Sequence, residues 1–287
     1  MPSEDIHHRP QEFRAALEFT AAETGFSSRL IEKDYWCSLI LRELYADEGT
    51  PLVFKGGTLL SKAFAGFDRM SEDLDFTIPT GAAVKRSSRS KKAEQIKARL
   101  EAMTQKLGLR WTEEWRGHNN STQHGGRLVY KANRGGEDGI LIEVSQREEV
   151  WEGVERTPLQ TLLLNPLFSE AVVPPITVGA LSQREAYAEK VRAALTREEP
   201  AIRDLYDLRQ GQRAGRLPLE DASWFSLVRR KCDGFDLTDA CSETRFEQFR
   251  RGVETDLLPV LRSGAVSEFQ FSEAWSLVKE IHQRLRT

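Results

Sequence analysis

The chain has 287 residues, 39% hydrophobic and 30% charged, with a formal net charge of −3. That length suits one large domain or two ordinary ones. The mild acidic balance excludes a globally basic nucleic-acid binder, and no apolar run reaches the ~20 residues of a membrane-spanning helix.

Three cysteines, Cys37, Cys232 and Cys241, form neither an even set nor a CxxC pair, so neither a disulfide framework nor a zinc site is expected. The opening MPSEDIHHRPQ lacks the apolar core of a signal peptide, so a cytoplasmic protein without membrane contact is expected. Residues 10–24 predict an amphipathic helix with Phe13, Ala16, Leu17 and Ala21 on its apolar side and Phe19 off it. Ser27 or Ser28 suits the cap of a second helix containing LIEKDYWCSLILRELY, where Leu30, Ile31, Tyr35 and Leu39 recur at helical spacing. Glu32, Lys33 and Asp34 make a charged patch on it, and for Glu32 a surface ion-pair cluster is the expectation.

Residues 52–78, LVFKGGTLLSKAFAGFDRMSEDLDFTI, read as strand, double-glycine turn, short helix, arginine-bearing connection and strand. In the second strand Leu74, Phe76 and Ile78 face one way, and Asp73, Asp75 and Thr77 the other. Two carboxylates on one face of a buried strand need compensating charge, and magnesium or manganese supplies it while taking substrate phosphates as further ligands. Gly56 and Gly57, lacking Cβ atoms, let the backbone approach a phosphate at a helix N-terminus. Lys62 and Arg69 have surface ion pairs as their ordinary reading.

Residues 79–90 predict a flexible crossing around Pro79 and Gly81, and 92–107 a helix with Ile96, Leu100, Met103 and Leu107 on one stripe. Seven Lys or Arg against one Glu mark residues 85–99 as either a solvated run or a contact for a phosphate backbone. A less regular region holds Trp111 and Trp115. The loop GHNNSTQHGG follows, where His118 and His124 lack companion ligands at metal spacing. Residues 127–132 and 139–145 predict an antiparallel pair turned at 133–136. Residues 146–180, with Pro158, Pro166, Pro174 and Pro175, read as transitional, giving domains at 1–178 and 179–287. Helices are predicted at 180–197, from Pro200 to near Gly211, and at 218–231, 243–258 and 272–285. Sheet followed by helices is an α+β pattern. On periodicity alone Lys190 is a snorkelling surface lysine, and Arg203 with Asp207 an ordinary i,i+4 pair.

GGTLLSK followed by RMSEDLDF resembles the signature of the AbiEii/AbiGii toxin nucleotidyltransferases, which include the MenT-type toxins of the polymerase-beta-like superfamily. EKDYW, the IEVS strand around Glu143 and the block at 190–208 extend the resemblance over residues 32–208. It implies a nucleotidyltransferase-type mixed sheet with flanking helices, followed by a C-terminal helical domain. Asp73 and Asp75, with Glu143 as third carboxylate, would hold the metal, and Gly56, Gly57 and Thr58 would seat the phosphates of an NTP donor. Lys190 would reach the triphosphate and Asp204 complete the site, with Asp207 and Arg197 in support. Lys33 or Asp34 of EKDYW would support it too. Ser71 would be a nucleotide-side residue open to phosphorylation by a kinase-like antitoxin. The implied activity is transfer of nucleotides to RNA, at the 3′ acceptor end of tRNA, by the toxin of a toxin–antitoxin or phage-defence pair. A protein or small-molecule acceptor, and an idle partner-binding fold, are the alternatives.

Overall fold

The computed structural model describes residues 5–47, 49–79, 86–118, 122–146 and 148–286. They divide into two compact units. The first is drawn from Met1–Gly66, Met70–Val150 and Val154–Ala180, and the second from Phe67–Arg69, Trp151–Gly153 and Leu181–Thr287.

The first unit is built on a seven-stranded mixed sheet. Helix α1 (Pro10–Thr24) starts on a proline, whose fixed φ suits a first helical position, and stops at Gly25 with φ 75°. Helix α2 (Ser28–Leu44) is capped by Ser27, whose Oγ accepts from the Leu30 amide at 3.4 Å. Strand β1 (Val53–Lys55) runs into α3 (Gly56–Leu59), which continues as a wide π-type turn over Leu60–Ala65. Then follow β2 (Leu74–Thr77), α4 (Arg86–Leu107), β3 (Arg110–His118), β4 (Gln123–Lys131), β5 (Glu137–Ser145), β6 (Val154–Leu159) and β7 (Ile176–Leu181). The strand order is β3-β4-β5-β2-β1-β7-β6. Strand β2 lies antiparallel to β1 and parallel to β5, and β7 runs parallel to β1.

The period-two pattern of β2 decides what each sheet face carries. Leu74 and Phe76 are fully buried beside Ile142 and Val144, their register partners on β5. Helix α2 covers this apolar face, with Trp36 stacked on Tyr130 at 5.1 Å between ring centroids and Tyr45 beside Phe76 at 6.5 Å. Helix α4 packs against α2 through the predicted stripe of Ile96, Leu100, Met103 and Leu107. The side chain of Asp75 leaves the opposite face.

Several elements differ from the sequence reading. Helix α4 begins at Arg86, inside the expected crossing, because the Arg- and Lys-rich stretch after residue 85 holds no Gly or Pro to stop it. Residues 80–85, including Gly81 and Lys85, lie outside the described residues, as do residues 119–121 of the GHNNSTQHGG loop. The stretch with Trp111 and Trp115 is a strand whose register shifts twice against β4, which breaks the alternation that would have marked it. Residues 146–180 contain two strands. In β7 Ile176, Val178 and Ala180 are buried in alternation, and Pro158 is tolerated because β6 is an edge strand.

The second unit is helical: α5 (Gln183–Thr196), α6 (Ile202–Arg213), α7 (Ala222–Lys231), α8 (Glu243–Gly252) and α9 (Phe271–Arg286). Ser182, Asp221 and Ser242 cap α5, α7 and α8 through side-chain oxygens. Trp224 is fully buried, and its indole N–H donates to the Arg184 carbonyl at 3.0 Å. Phe246, Phe249 and Trp275 join α8 to α9. Helix α7 starts later than predicted, at the Asp221 cap. Helix α8 ends at Gly252, where the backbone widens into a π-type turn ahead of Pro259. Among the described residues no helix is long and apolar enough to cross a membrane.

Candidate functional site

In the first unit the glycine turn and the acidic strand are built against each other. Gly56 adopts φ 80°, and a Cβ there would lie 2.1 Å from Asp75 Oδ2 and 2.9 Å from its Cβ and Cγ. The glycine therefore serves two ends, a left-handed backbone and close approach to a carboxylate. Thr58 follows it, buried, with its hydroxyl donating to the Asp73 carbonyl. The turn is thus tied to the acidic segment by main chain as well as by contact. Thr58 supports that segment from beneath, and its hydroxyl is not presented to solvent.

Strand register completes the face. Lys55 on β1, Asp75 on β2, Glu143 on β5 and Gly125 on β4 fall in one row across four adjacent strands. Asp73 and Ser71 are half-buried just before β2, and Glu143 is exposed. Lys55 pairs with Glu148 at 2.6 Å. Neither residue was singled out in the sequence. The row is a consequence of pairing between distant strands, so only the position of Lys55 one residue before Gly56 could have flagged it.

The charged triplet of α2 is buried, which corrects the surface cluster expected for Glu32. Glu32 is 4% exposed and accepts from the Asn133 amide at 2.8 Å. Burial pushes its carboxyl above the usual range. Lys33 holds Glu72 at 3.0 Å and Asp138 at 2.9 Å. Burial works against the charge on Glu72, but Lys33 and Arg29 hold its carboxyl below the ordinary range. Asp34 pairs with Lys62 at 2.6 Å, both essentially inaccessible, and Lys62 also donates to Ser38 Oγ at 2.8 Å. Lys62 is a buried partner and not a surface one. The three residues leave one helical turn toward the β4–β5 turn, the approach to β2 and the helix after the glycines.

In the second unit Lys190 is 8% exposed and lies 2.8 Å from Asp204 and 2.9 Å from Asp207, so it is no snorkelling lysine. Arg69 grips Asp207 with two parallel bonds of 2.6 and 2.7 Å. That buried fork replaces both the surface pair expected of Arg69 and the Arg203–Asp207 pair. Burial alone would raise the Asp207 carboxyl, but Arg69 and Lys190 hold it below the usual range. Arg197 stands 3.0 Å from Asp204 Oδ2 at an angle outside hydrogen-bond geometry, with half its side chain exposed. Lys190, Arg69 and Arg197 thus converge on the carboxylates of Asp204 and Asp207.

A divalent ion can be tested against these groups. Asp73, Asp75 and Glu143 are hard oxygen donors on one side of β2 and β5, and the space Gly56 keeps free at Asp75 would be filled by any Cβ. Among the described residues no three His, Cys, Asp or Glu side chains stand close enough to cage an ion by themselves. The set fits an ion that completes its shell with substrate phosphates and water, as magnesium does. The cysteines take no part: burial raises Cys232 and Cys241 to about 11 and Cys37 further. His124 lies on β4, stacked on Trp115. The basic run lies on α4, with Arg99 bound to Asp47 at 2.9 Å and Lys97 near Glu101.

Comparison with known proteins gives two findings. Residues 39–275 match the family model described as nucleotidyl transferase AbiEii toxin, type IV TA system. Among solved structures the chain is similar to the nucleotidyltransferase toxin MenT4 of Mycobacterium tuberculosis H37Rv. The TM-score is 0.52 at 19% identity, over 96% of this chain and 99% of that one. No curated protein matches.

Proposed function

The chain belongs to the AbiEii nucleotidyltransferase toxin family, and from that premise we propose that it moves nucleotides from an NTP donor onto RNA, at the 3′ acceptor end of tRNA. Its class makes it a nucleotidyltransferase toxin with a nucleotide substrate and an antitoxin.

The observation that carries the proposed site is the register of Asp75 with Glu143, beside a Gly56 that no other residue could replace without striking Asp75. Magnesium or manganese held there by Asp73, Asp75 and Glu143 would supply charge neutralisation and a more acidic attacking hydroxyl. The chain's own residues do the rest. The backbone at Gly56 and Gly57 seats phosphate oxygens, and Thr58 fixes that turn to Asp73. Asp204 and Asp207 hold the Lys190 ammonium in one place, and the family resemblance makes that lysine the proposed cation for triphosphate charge. Arg69, locked on Asp207, keeps that carboxylate in place beside Lys190, and Arg197 is the cation of the network open to solvent. Ser71, two residues before Asp73, is where a phosphate of about −1.5 to −2 charge would repel the donor.

The RNA acceptor is tested by expression and mapping. Induced alone in a bacterial host, the protein should slow growth, and RNA from arrested cells should carry extra nucleotides at tRNA 3′ ends. Growth arrest with unaltered RNA 3′ ends would remove RNA as the acceptor while leaving the enzyme class in place.

A further inference from the structure

Lys55 stands one residue before the glycine turn, in register with Asp75, whose neighbour in the same row is Glu143. Its side chain is mostly buried, and its ammonium lies 2.6 Å from Glu148, a residue of the segment that follows β5. Lys55, Asp75, Glu143 and Glu148 line one small cavity of about 60 Å³. That volume holds an ion with a water or two and no nucleotide. Three carboxylates and one lysine are among the side chains lining it.

We propose that Lys55 is the built-in counter-ion of the carboxylate row and competes with the divalent cation for it, while Glu148 holds the ammonium aside and so sets the strength of that competition. The inference rests on the metal reading given above for Asp73, Asp75 and Glu143, and assigns roles to two residues outside it. A fixed positive charge in the row repels an incoming dication, and the ion pair to Glu148 lowers that repulsion by drawing the ammonium toward the far wall. Removing the lysine and removing its holder therefore act in opposite directions. A purely structural part for the pair would make both substitutions act alike, because either one leaves a half-buried partner uncompensated.

The experiment measures Mn2+ binding to the full chain, with and without a non-hydrolysable NTP analogue, by calorimetry and by thermal unfolding against EDTA. Lys55→Met should bind Mn2+ at least about tenfold more tightly than wild type and show a larger metal-induced rise in Tm. Glu148→Gln should bind it more weakly, and Lys55→Arg, which keeps the charge, should stay near wild type. Equal or weaker binding by Lys55→Met overturns the proposal. If that variant does not fold, Glu148→Gln decides: unchanged or tighter binding overturns it. Asp75→Asn separates the two layers of argument. Binding in wild type that Asp75→Asn abolishes upholds the metal reading whatever Lys55 does. No binding to wild type, with or without the analogue, removes the metal reading, and the role of Lys55 with it.

Discussion

Gly56→Ala perturbs the contact on which the site is built. Two costs arise. An alanine held near φ 80° loses roughly 1–2 kcal/mol relative to glycine. Its Cβ would also sit 2.1 Å from Asp75 Oδ2 and 2.9 Å from Asp75 Cβ, so strand or side chain must move, an overpacking cost of about 1–3 kcal/mol. Together these give about 2–5 kcal/mol. Gly66 is the internal control. It has φ 64°, and a Cβ there would meet nothing within 4 Å, so Gly66→Ala should lose only the backbone share, about 1–2 kcal/mol. The assay is urea unfolding of both variants, of Asp75→Gly and of the double variant Gly56→Ala/Asp75→Gly. That double change removes the struck atoms and should recover the overpacking part as a coupling of about 1–3 kcal/mol. If Gly56→Ala costs no more than Gly66→Ala and shows no coupling to position 75, the glycine is there for its φ alone and the close approach has no consequence.

Three further outcomes are expected. Lys62→Met strands the Asp34 carboxylate in the core and should cost about 3–5 kcal/mol in urea unfolding, with Lys62→Met/Asp34→Leu recovering much of it. A double variant as unstable as the single would show that the pair is not what Lys62 supplies. The Asp207 carboxyl is depressed in the folded state, so its contribution is present above the unfolded value near 4 and lost as pH falls through the lower folded one. Asp207→Asn should therefore flatten the loss of stability below about pH 4, and an unchanged acid limb would contradict the assignment. Ser71→Glu should abolish nucleotide transfer while Ser71→Ala retains it, and an active Ser71→Glu enzyme in a labelled-NTP assay would count against charge control at that position.

What was legible in the sequence follows from range. The alternation of Leu74, Phe76 and Ile78 with the acidic positions is local, and so are the stripe of α4 and the cap at Ser27, and the structure keeps these; on α1 it buries Phe13, Ala16 and Leu17 with Thr20, while Ala21 is half-buried. The buried state of Glu32 was not legible, because a charge in a charged triplet reads as surface until its partner at Asn133 is known, and the partners of Lys33 and Asp34 at Asp138 and Lys62 were equally out of range. The same holds for Arg69, whose partner lies 138 positions away. Strands β6 and β7 were hidden by prolines, which mark boundaries in β7 and an edge in β6. The row joining Lys55, Asp75 and Glu143 exists only once β1, β2 and β5 are paired, so the place of Lys55 beside two glycines was its one local signal.

The central claim is that nucleotide transfer to RNA takes place at Asp75. Its most direct test incubates the purified chain with each α-labelled NTP, magnesium and total bacterial RNA, in parallel with Asp75→Asn. Label should enter RNA with wild type for at least one NTP and be absent with Asp75→Asn, whose unfolding curve should show it folded. Equal labelling by the two proteins, or no transfer to RNA by wild type with any NTP, would contradict it.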